Sequence, residues 1–206
     1  MKIVRKATVE EVKRCFVISN ALSGKEFKNV DDFIAQKNGV IQHISHLDEG
    51  RLDDRIDYKR RVSAYNRMDW YLATVSPKEL GVWKAAGKLP IAWTDCTLFK
   101  TAEYVSDALR NNSRELKRRV KRIFPEILTY VDSIYTEQHL RPIVFESNTG
   151  TMGRKGLKTT VGDIDDGCMR SIAFAISGKK KIEVYFGRVK PGFLAHLTEA
   201  IRFIFW

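Results

Sequence analysis

The residues of this chain best suited to chemistry lie between Asp163 and Gly187. The run Asp163-Ile-Asp-Asp-Gly-Cys-Met-Arg-Ser-Ile-Ala-Phe-Ala-Ile-Ser-Gly178 reads as a strand end carrying acids, a glycine turn and a short helix whose first turn holds Cys168 and Arg170. Lys181-Ile-Glu-Val-Tyr-Phe-Gly187 follows as a second strand. That layout suits a phosphate. Gly167 lets the backbone approach a ligand closely, the amides at the start of the helix favour an anion, and Arg170 can fork onto phosphate oxygens. An ordinary strand–turn–helix with one surface arginine would carry the same letters.

A second concentration of charge runs from Arg114 to Arg122. Here Arg114, Lys117, Arg118, Arg119, Lys121 and Arg122 stand against the single acid Glu115, all outside an apolar stripe. Arg114, Lys117, Arg118, Lys121 and Arg122 are therefore candidates for tracking a nucleic-acid backbone, which would show as strongly salt-dependent binding. A merely solvated helix face is the alternative. The cysteines Cys15, Cys96 and Cys168 are odd in number and lack CxxC spacing. His43 and His46 stand three apart with no acid or cysteine at a convincing metal spacing, so no metal ligands are assigned.

These residues need elements to position them. Met1 to Thr8 predicts a short strand, and Thr8-Val-Glu-Glu11 a capped helix running to about Ala21. Asn29-Val-Asp-Asp starts a second helix, and Leu47 to Arg61 is a mixed-charge segment expected to be a solvated helical face. Trp70 to Val75 has strand composition; Ser76-Pro77-Lys-Glu predicts a turn into a short helix with proline first. Gly87 to Thr97 reads as irregular. Leu98, Ala102, Val105 and Leu109 are spaced for one helix, and Leu116, Val120, Ile123, Ile127, Val131 and Ile134 for another, with a break expected near Phe124 and a restart at Pro125. Pro142 to Glu146 is a strand, 148–156 a glycine-rich connection, and Phe193 to Phe205 an amphipathic closing helix.

Composition bounds the rest. The chain of 206 residues is 44% hydrophobic and 11% aromatic, enough for one full domain, or for one domain with a sizeable appendage. Its net charge of +11 points towards polyanions: nucleic acid, nucleotides or an acidic protein surface. Met1-Lys-Ile-Val-Arg-Lys has no apolar stretch behind its charges, and no run approaches the length of a membrane span. Neither export nor a membrane partner is expected, and the three unpatterned cysteines fit reduced thiols in a cytoplasmic protein.

The run Arg141-Pro-Ile-Val-Phe, a variable loop, Asp165-Asp-Gly-Cys-Met-Arg-Ser-Ile-Ala-Phe-Ala, Gly178 and Ile182-Glu-Val-Tyr-Phe-Gly resembles the ParB/sulfiredoxin superfamily over about residues 70–190. The resemblance implies an α+β fold, a mixed sheet with flanking helices. Residues 1–67 would form a mainly helical N-terminal extension and 68–206 the nucleotide-binding domain. It further implies a nucleotide-dependent phosphoryl-transfer or NTP-hydrolysing protein, acting on or near DNA and using ATP or CTP with Mg²⁺. By position, Gly167, Met169, Arg170 and Ser171 would bind the nucleotide, and Asp163, Asp165 or Asp166 would serve as general base or magnesium-linked acid. Cys168 falls where sulfiredoxins place their nucleophile, which adds an ATP-dependent reductase as a minor alternative; Met169 stands where those enzymes have histidine. A non-catalytic nucleic-acid-binding protein using the Arg114–Arg122 face, DNA or RNA being its partner, is the other alternative.

Overall fold

The computed structural model describes residues 1–23, 25–147 and 160–190. The expected glycine-rich connection at 148–156 and the closing helix at 193–205 lie outside the described residues. The fold is α+β: a six-stranded mixed sheet flanked by helices. Strands β1 (Lys2–Ala7), β2 (Met68–Val75), β3 (Leu80–Gly81), β4 (Ile143–Glu146), β5 (Gly162–Asp166) and β6 (Ile182–Val189) lie in the order β1-β2-β6-β4-β5-β3. The β6–β4 and β5–β3 pairs are parallel and the remaining neighbours antiparallel.

Local chemistry explains the first helix, α1 (Val9–Leu22). The Thr8 hydroxyl accepts the Glu11 amide while the Glu11 carboxylate accepts the Thr8 amide, a reciprocal cap that satisfies two otherwise orphaned donors. Asn29 caps α2 (Val30–Ser45) by accepting the Asp32 amide, and Asp48 caps the short α3 (Glu49–Asp53). Next comes α4 (Lys59–Asn66). The segment before residue 68 is thus mainly helical, and it is stitched into the rest: β1 pairs with β2, and Phe16, Ile18, Leu52 and Tyr65 are buried in the same core as Trp70, Ile143 and Phe186. The mixed-charge segment from Leu47 to Arg61 departs from the solvated face expected of it at its end, since Arg61 is buried on α4 together with Tyr65 one turn further on.

After β2, Pro77–Glu79 forms a single 3-10 turn capped by Ser76 and Glu79, as its sequence predicts. The stretch read as irregular contains a short helix, α5 (Ile91–Thr94), before α6 (Leu98–Arg110). The basic segment is helical only from Arg118, where α7 (Arg118–Thr129) begins. Pro125 lies inside α7, and the break comes instead at Tyr130, before α8 (Val131–Tyr135). Proline removes one backbone bond from the ladder, a local cost that packing of Val120 and Phe124 into the core offsets by anchoring the helix. Helix α9 (Cys168–Ile176) follows β5 directly through Gly167, so the strand–glycine–helix–strand order expected from the sequence is the order observed. Helix α1 packs with α2, α3 and α4, whereas α9 packs with α6, α7 and α8.

Candidate functional site

The site is built at the junction of β5 and α9. Ile143 pairs with Asp166 and Val144 with Ile164, so the register skips Asp165, as in a β-bulge. A bulge breaks the alternation of side chains along a strand and re-aims them. The two consecutive carboxylates reach different helices of the N-terminal segment. Asp165 accepts hydrogen bonds from Arg61 Nε at 3.1 Å and the Tyr65 hydroxyl at 3.0 Å, both on α4. Asp166 accepts from the Ser19 hydroxyl of α1 at 3.0 Å and from Arg170 of α9 at 2.8 Å. The Arg170 guanidinium also donates to Ser19, closing a three-membered ring of contacts.

The first of these clusters is sealed. The Asp165 and Arg61 side chains are 1% and 9% exposed, and the Arg61 guanidinium stacks 4.7 Å over the Phe16 ring. Burial would lower the Arg61 pKa, but the facing Asp165 and Tyr65 hold it above its ordinary value. Burial, reinforced by Asp165, pushes the Tyr65 phenol well above 10. Nearby, the buried Cys15 thiol donates to the Arg141 carbonyl and is raised by burial to about 12; it is a neutral packing group, not a thiolate.

The second cluster is half open: the Asp166 and Arg170 side chains are 24% and 15% exposed. It sits at the N-terminus of α9, whose N-cap Gly167 has φ +85° and no side chain to cap the first turn. A Cβ at Gly167 would stand 2.8 Å from an Arg170 terminal nitrogen and 3.2 Å from Pro142 Cα. The space that the sequence assigned to a ligand is filled by the arginine itself. Arg170 is thus laid against the helix terminus, with a buried Nε that has no hydrogen-bond partner among the described residues.

The other sequence-assigned residues scatter around this point. The Asp163 carboxylate abuts the Gly81 backbone of β3, away from its two neighbours in sequence. Met169 packs its thioether against Gly87, in a loop where Ala85, Gly87 and Lys88 all adopt positive φ. Ser171 is fully buried within α9, and Cys168 directs its sulfur at the Ile164 carbonyl, 3.7 Å away. Of the basic candidates, Lys121 is bonded to Asn112 and Arg122 to Glu26, while Arg114, Lys117 and Arg118 are exposed. Ser19, Arg61 and Tyr65 escape sequence reasoning: they stand 100 to 151 residues from the groups they hold, and only a fold can join them.

The three acids do not converge on one point among the described residues. Each of the three carboxylates faces a different partner, and no group of three or more His, Cys, Asp or Glu side chains converges for a metal among the described residues. A groove of about 460 Å³ lined by Lys6, Thr8, Met68, Asp69, Trp70 and Lys190 shares no residue with the cluster. No helix among the described residues is long and apolar enough to cross a membrane. No family model, no curated protein and no solved structure matches the chain.

Proposed function

We propose that the start of α9 is a phosphate-binding site for a nucleotide, and that the protein is of the phosphoryl-transfer or NTP-hydrolysing kind. One observation carries this: Arg170 lies against a helix N-terminus without a side-chain cap, bonded to Asp166 and Ser19 at a half-open position. An anion entering at that terminus meets backbone donors and the guanidinium together. It competes with Asp166 for Arg170, and the exposed edge of the cluster makes that exchange inexpensive compared with opening the sealed pair.

Within this proposal the acids divide. Asp165 neutralises Arg61 in the interior and orders the turn. Asp166, released from Arg170 when phosphate binds, is the carboxylate placed to orient an acceptor hydroxyl or water. Mg²⁺ would arrive on the nucleotide's own phosphates. Phosphoryl transfer depends chiefly on positioning and charge stabilisation, which Arg170 and the helix terminus supply. Cys168 directs its sulfur at a backbone carbonyl and is given no part in the transfer.

A thermal-shift panel of ATP, ADP, CTP and GTP, each with and without Mg²⁺, tests the proposal. Stabilisation by at least one nucleotide that disappears in Arg170→Ala is expected. No shift with any nucleotide, or an equal shift in the variant, would refute it.

A further inference from the structure

The basic residues before and within α7 take no part in the α9 site and gather at the other end of an argument about charge. Arg118 and Arg122 stand one turn apart on the helix face opposite Val120 and Phe124, which are buried in the core. Two contacts bring neighbouring chain to the same end of α7. Lys121 Nζ donates to the Asn112 carbonyl at 3.1 Å and to its side-chain oxygen at 2.6 Å, which ties the turn carrying Arg114 to the helix. Arg122 reaches Glu26 at 2.9 Å. Phe27, the next residue, anchors that loop by packing edge-on against Tyr130 just past α7, with ring centroids 6.0 Å apart, and Lys25 is exposed on it.

The charge of this surface is open to a partner. Arg114, Lys117 and Arg118 are exposed and form no ion pair among the described residues. Lys121 is bonded to neutral groups, which leave its charge uncompensated. The Arg122 and Glu26 side chains are 68% and 79% exposed, and so exposed a pair exchanges readily for another anion. Arg118, Lys121 and Arg122, at i, i+3 and i+4, repel one another, and a polyanion laid across them relieves that repulsion. Lys117, the N-cap of α7, makes no side-chain cap, so the first-turn amides add donors at the same place.

We infer that this end of α7 binds the phosphate backbone of a nucleic-acid duplex without reading its bases. The composition of the surface selects the partner. Among the described residues, none of the exposed large hydrophobic side chains lies between 112 and 129. A protein partner calls for an apolar or aromatic centre to the interface, a lipid surface for apolar side chains that insert, and a single strand for rings on which bases stack. A duplex backbone needs only cations, and the guanidinium forks of Arg114, Arg118 and Arg122 suit its phosphate oxygens. The inference does not rest on the α9 site.

The test is fluorescence anisotropy with labelled DNA and RNA duplexes of about 20 base pairs and a single strand of the same length, beside co-sedimentation with phosphatidylserine-containing vesicles. At about 50 mM salt the wild type should bind at least one duplex, and more tightly than the single strand or the vesicles. For duplex DNA, log K should fall against log salt with a slope of about −4, each neutralised phosphate contributing about −0.9. Arg114→Ala/Arg118→Ala/Arg122→Ala should weaken duplex binding about tenfold or more and make that slope shallower by about 3, while melting as the wild type does. Lys59→Ala/Arg60→Ala/Lys84→Ala removes as much charge from exposed positions elsewhere, and it and Arg170→Ala should each stay within about twofold of the wild type. Binding of neither duplex, an equal loss in the control triple variant, or tighter binding to the single strand or the vesicles would overturn the inference.

Discussion

Asp165 and Asp166 are adjacent in sequence, and among the described residues each accepts from one arginine and one hydroxyl, yet they occupy opposite regimes. Arg61 and Tyr65 enclose Asp165 in the interior; Arg170 and Ser19 hold Asp166 at a half-open helix terminus. A buried ion pair is costly to open, because removing one partner strands a charge in a poor solvent. A partly exposed pair can trade partners at small cost. The difference teaches that an aspartate, an arginine and a hydroxyl act as a rivet in one place and as a receiver for an incoming anion in the other. The bulge at Asp165 is what sends neighbouring carboxylates to separate fates.

The largest expected effect comes from breaking the rivet. Asp165→Ala should cost about 3–5 kcal/mol in denaturant unfolding by stranding Arg61. Asp166→Ala, by contrast, should cost less, because Arg170 keeps Ser19 and a partly open edge. Similar losses in the two variants would erase the distinction between the clusters. Gly167→Ala should be intermediate, about 1–2 kcal/mol, since φ +85° strains an L-residue and the new Cβ meets the Arg170 guanidinium. The same substitution should abolish nucleotide binding by displacing Arg170; retained binding with an unchanged affinity would show that the guanidinium's seat is irrelevant.

A pH series sharpens the sealed side. Cys15 is raised from 9.0 to about 12, Tyr185 from 10.0 to about 12, and Tyr65 above 10, burial being the first cause in each case. The native state therefore holds these protons more tightly than the unfolded chain does. Their contribution to stability is complete below about pH 9 and is lost as pH rises from there towards 12. The melting temperature should fall steeply over that window, with Cys15 unreactive to thiol reagents until unfolding. Rapid labelling of Cys15 in the native protein at about pH 9 would contradict its burial. The smallest effect is expected from Asp166→Asn: nucleotide binding should tighten severalfold as Arg170 is freed, while any turnover falls. Weaker binding in that variant would mean that Asp166 positions Arg170 instead of competing for it.

Much of this is legible in the sequence because it is local. The Thr8–Glu11 cap, the Ser76-Pro77 turn and the strand–Gly167–helix–strand order are set by residues within a few positions of one another. The site's supporting groups are not legible. Arg61 looks, in sequence, like any cation in a mixed-charge helix, and Tyr65 like any helical aromatic; their burial follows from how α4 packs beside β5, across 100 residues of chain. Gly167 is recognisable as a residue needing freedom, but the group it makes room for is Arg170 itself. Pro125 misleads for a related reason: a local rule predicts a break, and tertiary packing of Phe124 decides otherwise.

The central claim rests on Arg170, and calorimetric titration of ATP and CTP into the wild type, Arg170→Ala and Arg61→Lys tests it most directly. Binding in the wild type and in Arg61→Lys, with a loss of at least about tenfold in Arg170→Ala, is the result expected. Equal affinity in the wild type and Arg170→Ala, with both proteins folded, would contradict a phosphate site at the start of α9.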